Sequence, residues 1–102
     1  LPQLHLAWYA WWQSHSVEAV AQSHELRSYH AGWIEAFPFT KVIDLPAGTK
    51  TPPRVPGLME AQQARQLYGD GVFGGPYQVS DSIMNQVFEA ALQDILQLLR
   101  FE

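Results

Sequence analysis

Asp81-Ser82-Ile83-Met84-Asn85-Gln86-Val87-Phe88-Glu89-Ala90-Ala91-Leu92-Gln93-Asp94-Ile95-Leu96-Gln97-Leu98-Leu99 carries the clearest periodicity in the chain. Met84, Val87, Phe88, Ala91, Ile95, Leu98 and Leu99 form one apolar stripe, with Asn85, Glu89, Gln93 and Asp94 as polar residues. That spacing predicts an amphipathic helix over residues 81–99. Asp81 near its start and Arg100 at its end both suit the helix dipole. Leu92 and Leu96 widen the stripe beyond what a one-sided helix requires, so a second contact surface is expected.

Upstream, residues 69–78 are glycine-rich and predict a loop. A shorter helix is expected over residues 58–68, where Leu58, Ala61, Ala64 and Leu67 repeat every third position and Gly69 stands at the C′ place. Residues 44–57 hold four prolines and two glycines and read as a loop. Residues 39–43 suggest a short strand. Residues 30–37 suggest a helical turn or two ended by Pro38. A helix over residues 16–23 would be capped by Ser14 or Ser16, with Val17, Val20 and Ala21 on one face. Finally Leu4-His5-Leu6-Ala7-Trp8-Tyr9-Ala10-Trp11-Trp12 is short, aromatic and preceded by Pro2, the pattern of a buried strand. A chain running from Leu1 almost directly into such a strand reads as a cut or truncated polypeptide.

Composition narrows the function classes. At 102 residues the chain is one small domain or part of a larger one, and alone it would bury roughly two-thirds of its extended surface. It is 47% apolar with four tryptophans, too apolar for disorder and rich enough that some apolar surface should meet a partner. The net charge of −4 and the scattered Arg27, Lys41, Lys50, Arg54, Arg65 and Arg100 exclude a phosphate-binding patch, so no nucleic acid is expected. Absence of cysteine removes disulfides, thiolate metal sites and a cysteine nucleophile. No apolar run reaches membrane-spanning length, no leader is visible, and a cytoplasmic location is expected.

Three stretches could carry chemistry. In Ser28-Tyr29-His30-Ala31-Gly32-Trp33-Ile34-Glu35, a histidine and a carboxylate five residues apart can face one pocket, and Ala31 and Gly32 permit close approach. Histidine suits proton transfer near neutrality, although a histidine among aromatics also serves as a packing or capping residue. Trp11 and Trp12 end the expected strand, where indoles can wall a flat polar substrate and donate N–H bonds. The alternative for the tryptophans, above all Trp8, is core or subunit interface. Gly69-Asp70-Gly71-Val72-Phe73-Gly74-Gly75-Pro76-Tyr77 lacks the ending of a phosphate loop. It reads first as a turn packed on a neighbouring subunit and second as a substrate-covering loop. His5, His15, His24 and His30 show no i,i+4 pair and no His-x-Glu or Glu-x-His, so an autonomous metal site is not expected, and His15 and His24 read as solvated.

The order of these pieces resembles the C-terminal part of creatininase-family proteins. Residues 8–12 resemble an aromatic strand of the Trp-Tyr-x-Trp-Trp kind, and residues 30–38 a His-Ala-x-Trp-x-Glu segment followed by Phe-Pro. Residues 69–77 resemble the family's Gly-Asp-Gly-x-Phe-Gly-Gly-Pro-Tyr loop and residues 81–101 its closing helix. The resemblance implies an α/β fold: this chain, helix-rich, would be the C-terminal portion of a three-layer α/β/α domain. The activity implied is metal-dependent hydrolysis of C–N bonds in cyclic amides or related small rings. Two divalent metals, zinc or manganese, would activate a bridging water. His30 corresponds to the pocket histidine that would pass a proton to the leaving nitrogen. Glu35 corresponds to the carboxylate after it, and Trp11, then Trp12, to the substrate-facing indole. Tyr29, beside His30 in the same pocket, stands where creatininase has Glu, which argues against creatinine itself as substrate. The family's metal ligands fall in segments outside these 102 residues. An N-terminal segment of the same enzyme, or a separate chain, is therefore expected to supply them, within a homo-oligomer. A reading of another class is a non-catalytic assembly subunit that uses its aromatic surface and last helix as an interface.

Overall fold

The computed structural model describes residues 3, 4, 6–54 and 57–100. Helix α1 spans His15–Ser23, α2 spans Ala61–Tyr68 and α3 spans Asp81–Leu98. Single 3-10 turns occupy Trp11–Gln13 and Trp33–Glu35. Strands β1 (Thr49–Lys50) and β2 (Gly75–Pro76) pair antiparallel, Thr49 opposite Pro76 and Lys50 opposite Gly75.

Local chemistry explains the helix ends. The Ser14 hydroxyl accepts from the Val17 N–H at 3.1 Å and the Ser80 hydroxyl from the Ile83 N–H at 3.3 Å, satisfying first-turn donors of α1 and α3. Helix α1 closes by a Schellman arrangement. The Leu26 N–H reaches the Ala21 carbonyl at 2.8 Å and the Glu25 N–H the Gln22 carbonyl at 3.0 Å. Glu25 takes the left-handed position at φ 55°, which glycine usually fills.

Helices α1 and α3 pack together over a wedge from the segment between α1 and β1. Val17 and Ala21 face inward from α1, Met84 and Val87 from α3, and Trp33, Ile34 and Phe37 fill the space they share. Val17, Trp33, Met84 and Val87 are fully buried, each stabilising the fold by about 1.5–3 kcal/mol. The Trp33 indole N–H donates to the Arg27 carbonyl at 2.9 Å, so the largest core side chain buries no unmet donor.

The structure differs from the sequence pattern in several places. Residues 6–10 form no strand, and Leu6 and Trp8 stand 88% and 90% exposed. His5, within that expected strand, lies outside the described residues, as do Leu1, Val55, Pro56 and Phe101. A strand needs a partner backbone, and none of the described residues pairs with this segment. Residues 39–43 are likewise not a strand, and Val42 and Ile43 project outward. Helix α2 starts three residues later than its spacing suggests. Gly57 at φ 107° holds the preceding chain out of helical geometry, Leu58 is fully exposed, and the Gln63 side chain accepts the Glu60 N–H at 3.1 Å. The short antiparallel ladder is the only sheet among the described residues.

The molecule measures 50 × 34 × 26 Å with a radius of gyration of 16.6 Å, against about 13 Å for a compact domain of this length. Its accessible surface is 8081 Å², against roughly 5,800 Å² expected of a compact monomer of this mass. Much of that surface is apolar, including Trp8, Phe39, Phe88, Ile95, Leu98 and Leu99.

Candidate active-site cleft

Two segments bound the cleft, and each is placed by the core. The 3-10 turn at Trp11–Gln13 is tied down by α1, because Ser14 both ends the turn and caps the helix. Trp11 is half-buried against the Phe37 ring at 5.6 Å and meets Trp12 edge-on at 6.0 Å. The second segment, residues 28–35, is fixed by Trp33 and Ile34, both in the core.

Between them lies a cleft of about 450 Å³ lined by Trp11, Trp12, Tyr29, His30 and Glu35, together with Gln13, Ser28 and Ile34. The five residues singled out from the sequence therefore line one cleft. Trp11 and Tyr29 are half-buried, whereas Trp12, His30 and Glu35 are exposed to the cleft and to solvent. Ser28 opens the stretch already singled out around His30, though without a role of its own, and Gln13 is an addition. Both are polar and flank the motif residues, but no spacing rule marks them, since they reach the cleft only because the two segments meet.

Tyr29 and His30 are clamped from outside the cleft by the glycine-rich loop. The Arg27 guanidinium lies 5.5 Å over the Tyr29 ring. The same ring touches Gly75 so closely that a Cβ there would stand 2.8 Å from Tyr29 Cδ2. The Phe73 N–H donates to the His30 carbonyl at 3.1 Å, and the two rings meet edge-on at 4.9 Å. The loop expected to pack on a neighbouring subunit thus packs on this chain's own site segment.

Asp70 organises the loop. Its carboxylate accepts from Lys50 Nζ at 2.6 Å, from the Tyr77 hydroxyl at 2.7 Å and from the Val72 N–H at 3.0 Å. The Lys50 bond above all, then those from Tyr77 and Val72, holds the Asp70 carboxyl well below the usual carboxylate range, and the same hydrogen bond raises the Tyr77 hydroxyl. A second polar cluster joins residue 9 to α3: Asp94 accepts from Ser16 and Tyr9, each at 2.7 Å. Those bonds, Ser16 first, lower Asp94, while burial and then the Asp94 bond raise Tyr9. His24 is not merely solvated, since its Nε2 lies 3.0 Å from the Gln86 side-chain oxygen on α3.

Glu35 is different. The ion pairs among the described residues join Lys41 to Asp81 and Lys50 to Asp70, and neither involves Glu35. Its carboxylate is free to meet a ligand in the cleft. Among the described residues no group of three or more His, Asp or Glu side chains could hold a metal ion. The donors among the described residues do not by themselves fit the dinuclear centre that the resemblance implies, and no step below runs through a metal on these residues. No helix among the described residues is long and apolar enough to cross a membrane.

Protein-family models, curated proteins and solved structures were each compared with the chain, and none of the three yields a match.

Proposed function

We propose that the chain supplies one wall of the substrate pocket of a metal-dependent amidohydrolase of the creatininase kind, opening the C–N bond of a cyclic amide or related small ring. The observation that carries this reading is the convergence of Trp11, Trp12, Tyr29, His30 and Glu35 on one cleft from two separate segments. Flat aromatic walls suit a small planar ring. In the hydrolysis, the oxygen of water bonds to the carbonyl carbon, the C–N bond breaks and the departing nitrogen takes a proton. His30 carries to that nitrogen the proton the attacking water gives up, and Glu35 accepts a substrate N–H to fix the ring's orientation. Divalent metal, zinc or manganese, belongs to an N-terminal segment or second chain completing a three-layer α/β/α domain in a cytoplasmic homo-oligomer.

The test is purification of the assembled protein, intact-mass analysis of every polypeptide in it, metal analysis, and assay on a panel of cyclic amides. A second polypeptide segment, stoichiometric zinc or manganese, and turnover abolished by His30→Asn are expected. An assembly without metal that opens none of the rings overturns the reading.

A second reading rests on a separate observation. Tyr9, Phe37, Phe39, Phe88 and Ile95 line an open apolar groove of about 560 Å³ on the α3 side. In a non-catalytic assembly subunit this groove would be the interface, and the chain would self-associate without metal. Sedimentation of the metal-free chain separates the two, because only the second reading requires a stable assembly of this chain alone.

A further inference from the structure

His30 sits at a strained point. The next residue, Ala31, has φ 57°, a left-handed conformation that a side chain with Cβ avoids. Such a conformation persists only where surrounding contacts over-determine it. Here the contacts come from the glycine-rich loop. Phe73 N–H holds the His30 carbonyl on one side of Ala31. On the other side Gly32 approaches so closely that a Cβ would stand 3.2 Å from the Gly74 carbonyl. The Phe73 ring is itself held: it stacks on Tyr68 at 4.2 Å with an interplanar angle of 16° and meets His30 edge-on. Lys50 Nζ ties the Tyr68 carbonyl (3.2 Å) and the Asp70 carboxylate to one point.

We propose that Phe73 is a positioning residue for His30: stacked on Tyr68 and carried on the loop that Asp70 braces, it fixes the direction in which the imidazole faces the cleft. The proposal rests on the reading of His30 as proton carrier and adds the device that aims it. An exposed histidine on a short loop otherwise samples several rotamers, and a proton donor misplaced by about 1 Å can lose on the order of 100-fold in rate. Phe73 takes no part in the chemistry, and it is absent from the lining of the cleft. Its influence passes wholly through the His30 backbone and ring.

The experiment uses the assembled protein carrying Phe73→Leu, Phe73→Tyr or Asp70→Asn. Its readouts are the His30 imidazole proton resonances, assigned by their loss in His30→Asn, and steady-state kinetics. Phe73 is 41% exposed, so the leucine variant is expected to fold, and circular dichroism checks this. Loss of the aromatic neighbour is expected to move the His30 resonances toward those of a free imidazole and to lower kcat about 10- to 100-fold, with KM within about twofold. Phe73→Tyr, which keeps the ring, restores both, and Asp70→Asn produces a weaker form of the leucine phenotype. His30 resonances unmoved in Phe73→Leu, or kcat unchanged, overturn the positioning role alone. Full turnover in His30→Asn instead removes the proton-carrier reading, and the catalytic meaning of the clamp with it.

Discussion

Gly75→Ala tests the contact between the glycine-rich loop and the site segment. Gly75 has φ 78°, pairs with Lys50 in the ladder, and leaves a Cβ no room: Tyr29 Cδ2 would stand 2.8 Å away and Cε2 3.2 Å. Two costs follow. Placing a Cβ in the left-handed region costs about 1–2 kcal/mol. Displacing a ring wedged beneath the Arg27 guanidinium adds about 1–3 kcal/mol of overpacking. The expected loss is therefore about 2–5 kcal/mol, a shift of the urea midpoint on the order of 1 M or more. Gly71→Ala isolates the first cost, because Gly71 has φ 81° but nothing within 4 Å of the added methyl, so about 1–2 kcal/mol is expected there. Tyr29→Ala removes the clash, and Gly75→Ala in that background should fall to the Gly71→Ala value, giving a coupling of about 1–3 kcal/mol in a double-mutant cycle. Urea denaturation, followed by tryptophan fluorescence, measures all four variants. Equal losses for Gly71→Ala and Gly75→Ala, with no coupling to Tyr29, would refute the wedge.

Trp33→Phe empties part of a fully buried position and strands the Arg27 carbonyl, so a loss of about 2–4 kcal/mol in the same assay is expected. Ser14→Ala and Ser80→Ala each remove a helix cap and should cost about 1 kcal/mol, read from denaturation midpoints. Asp70 and Asp94 have carboxyls lowered in the folded state. Their contribution is therefore fully present above the unfolded value of about 3.9 and is lost as pH falls through the lowered values. Midpoints measured from pH 7 into strong acid should decline there, less steeply in Asp94→Asn. Tyr9 and Tyr77 are raised, so their contribution is complete below the ordinary tyrosine value near 10 and disappears as pH rises through the raised ones.

What the sequence disclosed depended on how local the cause was. Helix α3 was legible because its stripe, its acidic first turn and its length are properties of consecutive residues. Helix α1 was legible through Ser14 for the same reason. The cleft residues were legible as types, an imidazole, a carboxylate and paired indoles, and the resemblance gave them roles and added Tyr29. Asp70 and Phe73 were not. An aspartate and a phenylalanine in a glycine-rich run say nothing of Lys50, Tyr77 or His30 until the chain folds back. The aromatic run at residues 4–12 misled because an apolar segment looks the same whether it is buried as a strand or left facing outward. Only a partner backbone decides between those states, and the described residues supply none.

That outward run meets the end of α3, where Trp8 and Tyr9 line a shallow hollow with Asp94, Gln97 and Leu98. Phe88 and Ile95 of α3, with Phe39 packed on Phe88, line the open apolar groove together with Trp11 and Glu35, which also line the cleft. The chain exposes about 2,200 Å² more than a compact monomer of its mass, more than the roughly 800 Å² that one partner contributes to a standard interface. Covering the groove would therefore close one side of the cleft as well, removing water from Trp11 and Glu35 while leaving His30, on the loop-clamped side, where it is. Association and completion of the pocket would then be one event, and a ligand for the cleft should bind more tightly as the groove is covered. By linkage, the same ligand should strengthen the assembly to the same degree.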